Sequence, residues 1–131
     1  MIKRVDHIGI AVHNLEEASR PFAALGLAVT RVMDVPNRPL RVAFLPLGDT
    51  ELELLEPTEP DSDIAHFIEE HGEGIHHICV EVDDIESALQ AARTAGMRLV
   101  DQTPRLGAAG RIAFLHPESV HGVRIELVQK N

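Results

Sequence analysis

Tryptophan and tyrosine are absent from this chain, phenylalanine occurs four times, and Cys79 is the only cysteine. One cysteine allows no internal disulfide, and a reducing cytoplasm is the expected compartment. So few aromatic rings leave little for stacking single-stranded nucleic acid. A net charge of −9 opposes binding to a phosphate backbone of any kind. Long apolar runs are missing too. Nothing approaches the roughly 20 apolar residues of a membrane span, and Met1 to Asp6 has no apolar stretch after its basic pair, so no signal peptide is expected. What is there is a chain of 131 residues, 44% apolar and 25% charged, the profile of one globular domain. Its expected partner is a small molecule, not nucleic acid or membrane. An anionic ligand would have to be met by a local cluster of cations or by a metal.

The chain repeats itself. Val5 to Val12 reads V-D-H-I-G-I-A-V, and Ile75 to Val82 reads I-H-H-I-C-V-E-V; His7 falls on His77 at an offset of 70. At the same offset Asn14 to Ala18 falls on Asp84 to Ala88, and Arg41-Val42-Ala43-Phe44-Leu45 falls on Arg111-Ile112-Ala113-Phe114-Leu115. Glu53-Leu54-Leu55 falls on Glu126-Leu127-Val128 at offset 73, because the turn around Pro117 to Gly122 is three residues longer. Each copy reads as a βαβββ unit. An alternating run makes the first strand. Asn14 or Asp84 caps a helix with acidic residues in its first turn, and Gly26 or Gly96 ends it. Three more strands are expected at about 28–35, 40–48 and 51–56 in the first copy, and at about 97–103, 111–116 and 122–129 in the second. The fold class is therefore α+β: two tandem βαβββ modules with pseudo-twofold symmetry, forming a curved mixed sheet around a metal cleft. The modules span about 1–58 and 74–131 within a single domain of residues 1–131. Residues 59–73 join them through a linker and a short helix at Ile64 to Glu70.

Two of the repeated residues are His and Glu. Pairing of the copies about an axis would bring together His7, Glu53, His77 and Glu126, four ligands from four strands. Strand periodicity sets His7, Gly9 and Ala11 on one face and Ile8, Ile10 and Val12 on the other. Two imidazoles and two carboxylates suit a borderline divalent cation such as Zn, Co, Ni, Mn or Fe, whose Lewis acidity would stabilise a developing oxyanion. A lone histidine on a strand is more often structural; the duplication of both residue types is what points to a metal. His76 faces away from His77 and is expected to be structural or exposed. His13, His66 and His71 read as solvated, while His116 and His121 flank the Pro117 turn. Cys79, two residues from His77, reads as a small buried residue. Gly107 and Gly110 mark a tight loop, either an anion-binding turn or a plain one.

These features resemble the vicinal oxygen chelate (glyoxalase/bleomycin resistance/dioxygenase) superfamily. Several stretches are similar to its methylmalonyl-CoA epimerase branch: Asp6 to Val12, Glu53 to Thr58, Gly72-Glu73-Gly74-Ile75-His76-His77-Ile78, Val82 to Ile85, Phe114-Leu115-His116-Pro117 and Gly122 to Leu127. The resemblance implies metal ligands His7, Glu53, His77 and Glu126. It also implies a cobalt or manganese cofactor (zinc and nickel being alternatives) and a homodimer. The implied reaction is epimerisation of (R)- and (S)-methylmalonyl-CoA through a metal-stabilised enolate, with Glu126 as catalytic base. Two departures stand out. Asn37-Arg38-Pro39 replaces a Glu-Gln-Gly stretch of many relatives, and Val42 stands where some carry a catalytic Glu, so the resemblance carries over no second acid/base group. Arg38, Arg41, Arg105 and Arg111 are candidates for the CoA phosphates, or else surface charges balancing an acidic protein. The alternatives are a glyoxalase or lyase of the same superfamily, and a metal-free, drug-sequestering binder on the same fold.

Overall fold

Alternating apolar residues become strands in both copies, and each run that follows a capping Asn or Asp becomes a helix. The computed structural model describes residues 1–131. Its elements run β1 (Ile2–Ala11), α1 (Leu15–Ala24), β2 (Arg31–Asp34), β3 (Leu40–Leu47), β4 (Thr50–Pro57), α2 (Asp63–His71), β5 (Gly74–Val82), α3 (Ile85–Thr94), β6 (Arg105–Leu106), β7 (Gly110–Phe114) and β8 (Ile125–Lys130), with a 3-10 turn at Pro117–Val120. This is an α+β fold in which the βαβββ order occurs twice. No helix is long and apolar enough to cross a membrane.

The chain packs as two compact units, His7–His76 and Met1–Asp6 with His77–Asn131, called here the first and second units. Strand order is β2-β3-β4-β1 in the first and β5-β8-β7-β6 in the second. In each, one parallel pair (β1 with β4, β5 with β8) sits beside antiparallel ladders.

Each unit buries a helix against one face of its strands. In the first, Leu15 of α1 packs with Val12, Ala43, Leu45 and Leu54. In the second, Ile85, Leu89 and Ala92 of α3 pack with Val82, Ala113, Leu115 and Leu127. The helices start alike. Asn14 and Asp84 accept from the backbone N–H groups of Glu17 and Ser87, and Gly26 and Gly96, at φ +88° and +81°, follow the C-termini. The opposite face of the first unit is partly covered by α2. Its Ile64 and Ile68 pack on Ala11, Leu40, Val42, Phe44 and Leu55, and Ser62 caps it by accepting from the Ala65 N–H.

The strand expected at 97–103 is the exception. Only an isolated bridge, Leu99 to Leu115, forms there, and the pairing strand is the two-residue β6. The cause is local. Asp101 puts a carboxylate oxygen 2.8 Å from the Phe114 N–H, so a side chain takes the donor that a ladder partner would use. The strand expected at 28–35 is trimmed to Arg31–Asp34, and β8 starts at Ile125, after Gly122 at φ +81°.

Candidate metal centre

Period two along β1 and β5 turns His7 and His77 away from α1 and α3. Each meets the carboxylate that the repeat placed with it. In the first unit His7 Nδ1 lies 3.2 Å from Glu53 Oε2. In the second His77 Nε2 lies 3.1 Å from Glu126 Oε1. His7, His77 and Glu126 are buried, and the Glu53 side chain is 14% exposed. Imidazole nitrogen and carboxylate oxygen, sheltered and in hydrogen-bond range, can share a proton or face a cation together.

Register explains how each pair is held. Glu53 on β4 stands opposite Phe44 of β3 and beside Gly9 of β1. Glu126 on β8 stands opposite Phe114 of β7 and beside Cys79 of β5. A phenylalanine therefore walls each carboxylate. The Phe114 ring also meets the His77 ring edge-on, with centroids 5.8 Å apart, an arrangement that limits imidazole rotation. These two phenylalanines lie in the repeated Arg-Val-Ala-Phe-Leu and Arg-Ile-Ala-Phe-Leu segments. The repeat held the signal, but nothing local said that Phe would face Glu.

A second repeated device sits on the helix side. Glu56 Oε2 accepts from the Leu15 N–H at 2.9 Å, and Gln129 Oε1 from the Ile85 N–H at 2.9 Å. Each acceptor lies three residues beyond the site carboxylate of its strand and ties the start of α1 or α3 to the sheet. Arg41 reaches Glu56 at 3.5 Å, and Arg111 reaches Gln129 at 3.3 Å and Glu86 at 2.9 Å. Arg41 also pairs with Asp34, and Arg105 with Asp101. Three of the four arginines considered for CoA thus have protein partners. Arg38 lies on the turn after Asn37, whose φ is +61°.

The remaining residues fall into structural roles. Val42 is core, packed on Leu55 and Ile68, and can carry no proton. Cys79 is fully buried against Ile112 and Val128. His76 and His71 flank the Phe67 ring at 4.9 Å each. His116 caps the 3-10 turn by accepting from the Glu118 N–H, and His121 takes the left-handed φ of 61° that ends it. The glycine loop is a packing feature. A Cβ on Gly110 would lie 2.2 Å from the Gln129 carbonyl oxygen, and one on Gly107 would lie 2.7 Å from Ile112. Asp6, buried in the second unit, holds the Lys130 ammonium at 2.6 Å.

Comparison with known proteins gives this geometry a context. The sequence profile of the Glyoxalase/Bleomycin resistance protein/Dioxygenase superfamily matches residues 6–115. The ethylmalonyl-CoA/methylmalonyl-CoA epimerase of Cereibacter sphaeroides is 41% identical, over 98% of this chain and 99% of its own. Among solved structures, methylmalonyl-CoA epimerase from Mycobacterium tuberculosis superposes with a TM-score of 0.90 at 33% identity, covering 99% of this chain and 89% of that one. A variant of the Streptomyces coelicolor methylmalonyl-CoA epimerase, in complex with 2-nitronate-propionyl-CoA, gives 0.88 at 36%, covering 99% and 96%.

Proposed function

The chain belongs to the Glyoxalase/Bleomycin resistance protein/Dioxygenase superfamily, and from that premise we propose that it is an isomerase interconverting (R)- and (S)-methylmalonyl-CoA. The observation that carries this reading is likeness to acyl-CoA epimerases along nearly the whole of both chains, at up to 41% identity. The duplicated His–Glu pairs support it.

The donor chemistry of the pairs fits a divalent cation. Each unit offers one imidazole nitrogen and one carboxylate oxygen, 3.1 to 3.2 Å apart and sheltered from water. We propose that His7, Glu53, His77 and Glu126 together hold one such ion, cobalt or manganese before zinc or nickel. When bound, it would supply Lewis-acid stabilisation of the negative charge that develops on the thioester oxygen. Glu126 takes the α-proton from one face of the α-carbon, its carboxylate held against His77 and walled by Phe114, and inversion is completed when a proton reaches the opposite face from water or from a second group. Phe44 and Phe114 keep water from the two carboxylates. Val42 takes no part in proton transfer. We further propose a homodimer working in the cytoplasm, where the buried Cys79 stays a thiol.

The test is exchange of the substrate α-proton. Methylmalonyl-CoA in heavy water should gain deuterium at the α-carbon far faster with the protein than without it. The rate should fall on chelation and recover with added cobalt. Incorporation at the uncatalysed rate, with cobalt present, would sink the assignment.

A further inference from the structure

An acyl-CoA is an anion, and the site face of each unit already carries a carboxylate. Beside the proposed divalent ion, a cationic side chain on that face would complement the ligand's remaining charge. Each unit places an arginine over the phenylalanine that walls its glutamate. In the first unit Arg31 stands opposite Phe44 on β2, and its guanidinium carbon lies 4.3 Å from the ring centroid. In the second, Arg105 lies 5.8 Å from the Phe114 ring. The two cations differ in one respect. Arg105 is held by Asp101, Nε to Oδ1 at 3.2 Å, and that carboxylate lies at the centre of a built knot, since its other oxygen takes the Phe114 N–H. Arg31 is exposed, and no carboxylate lies within ion-pair distance of it.

Register places Arg31 in a single row across the first unit: Arg31 on β2, Phe44 on β3, Glu53 on β4, Gly9 on β1. Residues paired across neighbouring strands point to the same face, so Arg31 shares the face of Glu53 and His7. Two strand spacings, about 10 Å, separate its backbone from that of Glu53. Folding over Phe44 brings the guanidinium back by about one of those spacings. The equivalent row in the second unit runs Phe114, Glu126, Cys79. There a buried thiol stands where the first unit has a glycine with no side chain, and the cation is already neutralised.

We propose that Arg31 binds an anionic oxygen of the acyl-CoA, so that the charged part of the ligand lies over the first unit's face, between Arg31 and Glu53. This rests on the epimerase reading and adds the residue that recognises the ligand's charge. Phe44 pre-orients the guanidinium: cation–π contact holds the planar fork while leaving its N–H donors directed outward. The anion is an acyl carboxylate or a CoA phosphate, and both accept charge-assisted hydrogen bonds in the same way.

The test measures binding by calorimetry, with no need for turnover. Arg31→Met keeps the apolar stem over Phe44 and removes the charge; Arg20→Met, on the exposed side of α1, is the control. Each is titrated with methylmalonyl-CoA and with the methylmalonyl thioester of N-acetylcysteamine, which has no phosphate. Thermal melting checks that both variants fold. Arg31→Met should weaken methylmalonyl-CoA binding by about tenfold or more, the size of a charge-assisted hydrogen bond. Arg20→Met should not change it. An equal loss with the phosphate-free thioester assigns Arg31 to the acyl carboxylate, and a loss with the CoA ester alone assigns it to a phosphate. Unchanged affinity for both ligands in Arg31→Met overturns the proposal. Wild-type protein that binds the esters without exchanging the α-proton would instead overturn the epimerase reading and leave the binding result standing.

Discussion

The two units are the same drawing with different details. Both set a histidine beside a glutamate, wall that glutamate with a phenylalanine and tie a helix start to the strand. They diverge at the positions around the pair. The first unit has Gly9 and an uncommitted Arg31. The second has buried Cys79, and an Arg105 tied to Asp101. Duplication supplies two halves of a donor set; on the proposed reading, the differences around them give the ligand's charge to the first half and proton transfer to the second.

The largest effect should come from breaking the equivalence of the two glutamates. Glu126→Gln should lower α-proton exchange by about 100-fold or more, the usual weight of a general acid/base group. Glu53→Gln should cost less. Equal losses, read by deuterium incorporation, would make both carboxylates ligands only and remove the base role from Glu126.

Next comes the packing of the two helices. Leu89 of α3 is almost fully buried, whereas its counterpart in α1, 70 residues earlier, is Ser19. Leu89→Ala should cost about 2–5 kcal/mol of stability, and Ser19→Ala about 0.5 kcal/mol or less. Urea unfolding of both variants measures the difference.

The sheet-to-helix ties give a smaller contrast. Glu56→Ala and Gln129→Ala should each cost about 1 kcal/mol, one hydrogen bond. The Glu56 share should shrink in high salt, because its Arg41 partner is an exposed cation. The Gln129 share should not, since its acceptor is neutral.

The smallest effect is electrostatic. Asp84 caps α3, and hydrogen bonds from the Ser87 backbone and side chain hold its carboxyl below the usual 3.8. A carboxyl lowered in the fold contributes fully above its unfolded value and loses that contribution as pH falls through the folded one. The Ser87 amide resonance should therefore titrate at a pH below 3.8. The Glu17 amide, capped by Asn14, should show no matching step from its cap. Asp84→Asn should abolish the step in α3.

Much of this was legible in the residues. The offset of 70 revealed the doubled βαβββ order, and period two along β1 and β5 set which residues share a face with His7 and His77. The strand expected at 97–103 as part of the second copy's βαβββ order shrinks to one bridge, because Asp101 claims the Phe114 N–H instead. Phe44 and Phe114 were visible as repeats, but not as walls. Their place opposite Glu53 and Glu126 depends on antiparallel register, which turn geometry sets.

Local chemistry written in the chain determined the elements, their caps and the faces they present, because helix and strand periods and capping bonds act over a few residues. Only the tertiary structure decided which charges are spent. Arg111 finds Glu86 and Arg41 finds Glu56, while Arg31 finds a ring and no acid. Those encounters depend on side chains from separate elements meeting across folded strands, and no pattern along the sequence carries that distance.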